Sequence, residues 1–371
     1  MKPYLSIMTA GLLAFSISDL QAEVDTKLQL SSGYNSNPFR FNQQFAPQGS
    51  QYLQAKGQLD YTFKRGWSLG AGVDAEYYDQ ASDANQHNLS TDLSYRSGKA
   101  SDYWQLKAML KHRDKTYISR LTGERSRYAG EYLDDRYDYR QGELEWTKKD
   151  KLSRTLSHKW QLSYQRRDYQ DYDQLNISDL DYQSFSISDQ LRWKISKRQR
   201  HYFSAELTLR DYLNREQKNL QGDSLSNTEL QYRYFSLGYR YRYTLKKRLE
   251  VNIEPQFELR RDNGSGYYDS DTIELAAALE YRWSRHHQSQ LDISYRDFSY
   301  DREPGLANDV EEEFNGEKRI DVSLNHTIKA PSLLGKKGAV KLSYEYRSAD
   351  ANRSAYQYDR SIVSAALSVR F

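Results

Sequence analysis

Every second residue back from the C-terminus is apolar: Phe371, Val369, Leu367, Ala365 and Val363, with Arg370, Ser368, Ala366 and Ser364 between them. Side chains of a strand alternate between its two faces, so Ser361 to Phe371 is a strand whose faces meet different surroundings. The same alternation returns along the chain. Leu53, Ala55, Gly57, Leu59, Tyr61 and Phe63 share one face of a strand. After Lys64-Arg65-Gly66 a second strand answers with Trp67, Leu69, Ala71, Val73, Ala75 and Tyr77. About sixteen such segments can be counted, from Val24–Tyr34 to the terminal one.

This pattern rescues a composition that otherwise argues against a membrane. The 371 residues carry a net charge of +3 and are 37% hydrophobic. A spanning helix needs about 20 consecutive apolar residues, and none is found beyond the N-terminal segment. A barrel needs only alternate apolar residues, because the others line a polar interior. The 33 Tyr fit the same reading, with rings in lipid and hydroxyls in water. A soluble β-sandwich would alternate too. It gives no reason for apolar faces on every strand, nor for connections that alternate between long and short. The stretches near 35–50, 113–137, 167–181, 212–228, 261–271 and 298–316 are long, whereas 64–66, 196–200, 246–248 and 284–288 are short. Outer-membrane barrels have short periplasmic turns and longer outer loops, which places both termini in the periplasm.

The expected fold is therefore all-β: a transmembrane antiparallel up-and-down β-barrel over residues 23–371, behind a signal peptide over 1–22. Lys2, the apolar Leu5 to Ile17 and Leu20-Gln21-Ala22 mark the signal, with cleavage after Ala22 or alternatively after Ser18. Without cysteine there is no lipid-modified N-terminus, disulfide or thiolate metal site. Three local features strain the pattern: a weakly marked strand around Leu144 and Trp146, Pro255 inside a strand where a bulge is expected, and Asp189 on an apolar face. Either the register shifts at Asp189 or its carboxylate finds a partner.

The inward faces are dense in charge. Lys107, Lys111, Lys159, Arg167, Arg192, Lys194, Arg240, Arg242, Arg260, Arg282 and Arg296 are the candidate pore-lining residues, set against acids such as Asp60, Asp92, Glu254 and Asp321. Such charges need a hydrated or mutually paired interior, and basic rings favour anions. In the outer loops Tyr128, Tyr132, Tyr169, Tyr172, Tyr267 and Tyr268 stand beside carboxylates, a composition suited to stacking on sugar rings. The short turns are basic, with Lys197-Arg198, Lys246-Lys247-Arg248 and Arg285-His286-His287. They suit lipid headgroups or a periplasmic partner. Neither a metal-ligand spacing nor a phosphate-binding glycine loop occurs. No ordered Ser-His-acid motif accompanies the histidines, and His112, His158 and His326 fall on the lipid side, so no enzyme is expected and no cofactor is assigned.

The strand ending in Leu367, Val369 and Phe371 resembles the targeting signal of bacterial outer-membrane β-barrels, which implies recognition by the barrel-assembly machinery. Gly33-Tyr34-Asn35-Ser36-Asn37-Pro38-Phe39 resembles the opening of outer-membrane barrel porins often encoded with exopolysaccharide assembly genes, with Asn35 in place of their usual Asp. The resemblance implies an outer-membrane channel for an extracellular polysaccharide or another anionic solute, working with lipid and periplasmic export components and not with nucleic acid. A loop-plugged binding or structural barrel and an outer-membrane enzyme remain as alternatives.

Overall fold

The computed structural model describes residues 23–42, 48–63, 66–119, 123–125, 127–128, 130–170, 180–301, 316–330, 337–352 and 354–371. Residues 1–22, expected to be a signal peptide, lie outside the described residues, as do Lys64, Arg65 and Tyr172. Sixteen antiparallel strands follow one another in chain order around a closed barrel. They are β1 (Glu23–Asn35), β2 (Ser50–Thr62), β3 (Trp67–Tyr78), β4 (Gln86–Lys99), β5 (Asp102–Lys115), β6 (Tyr139–Lys151), β7 (Leu156–Tyr169) and β8 (Tyr182–Lys194). The second half comprises β9 (Gln199–Tyr212), β10 (Gln231–Leu245), β11 (Leu249–Asp262), β12 (Ser270–Arg282), β13 (His287–Tyr300), β14 (Glu317–Ala330), β15 (Lys337–Ala351) and β16 (Tyr358–Arg370).

The apolar sets stand exposed around the outside. Leu30 on β1, Leu110 on β5, Leu144 on β6, Ile273 on β12 and Val363 on β16 are each more than half exposed. In water such a coat would be unfavourable, whereas against lipid it is the face a spanning barrel requires. Charged and amide side chains occupy the other face, so the fold is that of an outer-membrane barrel. Val369 departs from its row, being 7% exposed.

Two of the strained features resolve within an unbroken ladder. The β7–β8 register runs continuously from Tyr182↔Arg167 to Trp193↔Leu156, and Asp189 is met by His158 on the same outer face. The partner, not a shift, accounts for the carboxylate. The expected bulge at Pro255 is absent: Gly238 faces Gln256 and Tyr241 faces Ile253, so both strands advance by three residues. The proline removes a ladder donor without adding a residue.

The two rims are built from different polar devices. At four connections of the long-loop rim the residue before a strand is an Asx whose Oδ1 accepts the N–H of the preceding strand's last residue. The pairs are Asn85 with Tyr78 at 2.7 Å, Asp138 with Lys115 at 2.6 Å, Asp181 with Tyr169 at 2.6 Å and Asp269 with Asp262 at 2.7 Å. Each closes a loop that would otherwise leave a backbone donor unmet. At the other rim the connections 152–155, 195–198 and 283–286 contain Ser153, Ser196 and Ser284, whose hydroxyls accept two turn N–H groups each. Not every connection at the long-loop rim is long. The links 79–85 and 352–357 are compact turns around Ser82–Ala84 and Ser354–Tyr356. All six tryptophans, Trp67, Trp104, Trp146, Trp160, Trp193 and Trp283, lie in the half of the barrel that carries the short turns.

Closure joins β1 to β16 from Lys27↔Arg370 to Asn35↔Ile362. Gly33 lies on this seam, where a Cβ would run into the Val363 carbonyl. The Asn35-Ser36-Asn37 segment fastens one end. Ser36 N donates to Ser361 O at 2.9 Å, and Asn37 Nδ2 donates to Phe41 O at 2.8 Å and to Asp359 O at 3.2 Å. Arg370 and Asp25 pair at the other end, beside Phe371 N donating to Thr26 O at 2.8 Å.

Candidate functional site

The lumenal charges divide into two kinds by what they touch. In the half nearer the short turns, basic groups meet carboxylates on the same or the neighbouring strand. Arg240 forks onto Glu254 at 2.6 and 2.7 Å, Arg242 meets Glu250 at 2.5 Å, Arg282 meets Glu280 at 2.9 Å and Lys107 lies 3.6 Å from Asp92. Lys159 donates to Gln161 at 2.8 Å, Arg192 lies 6.0 Å from the Tyr202 ring, and Lys194 faces Arg200 across the ladder. Lys111 lines a lumenal recess of about 470 Å³ together with Lys56, Asp74, Asp92 and Tyr139. The carboxylate pairs hold the wall and cancel part of its charge, while among the described residues Lys159, Arg192 and Lys194 meet no acid.

At the long-loop end of β6 to β13 the arginines lie on rings instead, whereas on β14 and β15 Arg319 and Arg347 both pair with Asp321. Arg167 sits 4.2 Å from the Tyr139 centroid and 5.3 Å from that of Tyr182; Arg210 sits 4.4 Å from Tyr182 and 5.0 Å from Tyr234. Arg260 follows at 5.0 Å from Tyr232 and 5.3 Å from Tyr300, and Arg296 at 5.7 Å from Phe298. Arg167 also donates to Gln141 Oε1 at 2.7 Å and to the Tyr169 hydroxyl at 3.2 Å. The result is a band of alternating guanidinium planes and aromatic rings from β6 to β13. Stacking on a ring stabilises a guanidinium by about 0.5–2 kcal/mol and leaves its charge in place, unlike a carboxylate partner. Among the described residues Arg167, Arg210 and Arg296 form no ion pair, so the band keeps positive charge at this end of the lumen.

Local sequence explains the band. Arg167-Asp168-Tyr169 ends β7, Arg210-Asp211-Tyr212 ends β9 and Arg296-Asp297-Phe298 lies near the end of β13. Period two sends Arg and the aromatic into the lumen and the Asp outwards, where Asp168 pairs with Arg166 at 2.8 Å. This Arg-Asp-aromatic recurrence is a signal that selecting basic residues alone passes over. It joins Arg167 to Tyr169, Arg210 to Tyr212 and Arg296 to Phe298, while Tyr139, Tyr182, Tyr232, Tyr234 and Tyr300 lie outside the triplets and carry no such signal.

The loop tyrosines separate. Tyr128 and Tyr132 stay exposed on a small hairpin, Arg127–Tyr128 against Glu131–Tyr132, with Arg127 3.9 Å from the Tyr132 ring. Tyr169 packs inward against the band. Tyr267 and Tyr268, expected to offer their faces to sugars, are instead 4% and 0% exposed. The connection 263–269 turns them inward against Tyr232, and the connection 213–230 covers them with Leu230 and Arg215. Arg215 Nη2 donates to the Tyr268 hydroxyl at 3.2 Å. Burial pushes the neighbouring Asp269 carboxyl up, against the lowering effect of the Asp262 N–H. Across the mouth, burial raises Asp138 to about 7 despite the Lys115 N–H it accepts.

No protein-family model matches the chain, and no curated protein matches it in sequence. Among solved structures it is similar to outer-membrane expressed OmpT of Vibrio cholerae, with 10% identity, 96% of this chain and 99% of that one covered, and a TM-score of 0.48. It is similar also to OccAB1 of Acinetobacter baumannii, with 10% identity, 94% and 96% covered, and a TM-score of 0.48. An anion-selective porin from Comamonas acidovorans gives 9% identity, 95% and 100% covered, and a TM-score of 0.47. Likenesses this distant leave the cargo open.

Proposed function

We propose that the protein is a porin-like channel of the bacterial outer membrane whose lumen passes anionic solutes, with an acidic extracellular polysaccharide as the cargo that best uses it. The arginine–aromatic band carries this reading. Arg167, Arg210 and Arg296 lie against rings and, among the described residues, pair with no acid, so their charges attract carboxylates, while the half-buried Tyr139, Tyr234 and Phe298 beside them supply aromatic surface for pyranose units. A polymer of acidic sugars presents both groups at each repeat. In this reading the short-turn end faces the periplasm and its export components, and the strand ending in Leu367, Val369 and Phe371 is what the assembly machinery engages.

A second reading has an observation of its own. The 213–230 connection buries Leu230 and Arg215 against the inner tyrosines, which supports a barrel narrowed or plugged by its own loop. Reversal potentials across planar bilayers in a salt gradient separate the two. Anion preference is expected, falling towards none when Arg210→Gln and Arg296→Gln are combined, and an acidic polysaccharide is expected to lower the conductance more than a neutral one. A wild-type barrel that never conducts would sink the channel reading and leave the plugged one.

A further inference from the structure

On the lipid-facing side of β13 and β14, close to the short turns, four polar side chains are linked in a row. Trp283 Nε1 donates to Ser289 Oγ at 2.9 Å, Ser289 Oγ lies 2.9 Å from His326 Nδ1, and His326 Nε2 lies 3.4 Å from His287 Nδ1. Ser289 and His326 are direct cross-strand partners, so the pleat itself puts them on one face. The turn just below contains Arg285 and His286, shaped by Ser284 accepting the His286 and His287 N–H groups at 3.1 Å. Lipid tails offer such groups nothing, and a polar row on this face is costly unless it meets the polar part of a lipid.

The wall beside it is different. From His326 an open groove of about 700 Å³ runs over β14, β15, β16 and β1, walled by Leu324, Leu342, Tyr344, Val363, Ala365 and Tyr34. It reaches towards the long-loop rim at Tyr34, the residue before the end of β1. A donor-rich end and an apolar channel thus follow one another across the strands.

We propose that this is a binding site for one glycerophospholipid of the leaflet at the short-turn end. An acyl chain lies in the groove, and the phosphate diester meets His287 Nε2 and Arg285, with His326 holding the His287 ring through its Nδ1. Charge complementarity picks the occupant: imidazole and guanidinium donors suit a phosphate, and the groove suits the chain attached to it. A free phosphate would use the donors and leave the groove empty, while a neutral detergent would do the reverse. The site requires only that the barrel lie in a membrane, and it is independent of what the lumen carries.

The test is native mass spectrometry of the full barrel in non-ionic detergent, titrated with phosphatidylglycerol, with phosphatidylcholine and with inorganic phosphate. One phosphatidylglycerol is expected to be retained in preference to phosphatidylcholine, with inorganic phosphate failing to displace it. His326→Ala removes the ring that positions His287 and Ala365→Trp fills the groove, and each should weaken retention by about tenfold. Heat-dependent gel migration checks that both variants are folded, and their bilayer conductance should match the parent's. Equal retention by the parent and both folded variants, or displacement by inorganic phosphate alone, would overturn the proposal.

Discussion

Asp138 sits at the barrel mouth with Oδ1 2.6 Å from the Lys115 backbone nitrogen. Burial is the main reason its carboxyl is raised to about 7, with Asp114 and Asp135 adding to the rise and the Lys115 N–H opposing it. An acid whose folded pKa exceeds its unfolded one holds its proton more tightly in the folded mouth. The stability it contributes is full below about pH 4 and is lost as pH rises through about 7. Local opening of the 116–138 connection should therefore increase between pH 5 and 8. Asp138→Asn keeps an acceptor that does not titrate, so its opening should be flat across that range. Amide exchange at Lys115, corrected for intrinsic chemistry, measures both, and equal slopes would remove Asp138 as the source.

The connections 213–230 and 263–269 behave as one packed element, because Tyr268 is fully buried between Tyr232, Tyr267 and Arg215. Tyr268→Ala should loosen this docking by about 3–5 kcal/mol. Tryptic cleavage after Arg215, itself 4% exposed, should accelerate accordingly, and an unchanged rate would count against the packing. This element also marks the limit of what the amino-acid order reveals. The outward rows were readable because lipid enforces period two on every strand, even on the weakly marked one at Leu144 and Trp146. Asp189 needed its cross-strand neighbour His158, and that pairing follows from how β7 and β8 align. The burial of Tyr267 and Tyr268 obeys no period, since it depends on how two loops fold together. The band itself was half legible: its arginines fall on inward positions, three with an aromatic two residues on, but Tyr139, Tyr182, Tyr232, Tyr234 and Tyr300 reach them from other strands.

At the scale of the whole barrel, the seam is the place where closure is decided. The β1–β16 ladder begins only at Lys27, leaving Glu23 to Thr26 to pair with β2 alone within the regular ladder. Fastenings at both ends offset the shorter pairing. Asn37, 1% exposed, accepts the Phe41 N–H at 2.9 Å while donating to Phe41 O and Asp359 O. Asn37→Ala should leave buried backbone groups unmet and destabilise the barrel by about 1–3 kcal/mol, read as a lower urea midpoint in lipid vesicles. A midpoint equal to the parent's would show that the ladder alone closes the barrel.

The gathering of every tryptophan into one half of the wall makes the molecule its own optical depth gauge. Indole emission from this chain arises wholly from the end that carries the short turns. Quenchers fixed at known depths in the acyl chains should therefore darken it in one narrow zone, and during insertion into a vesicle the blue shift should time the arrival of that end alone.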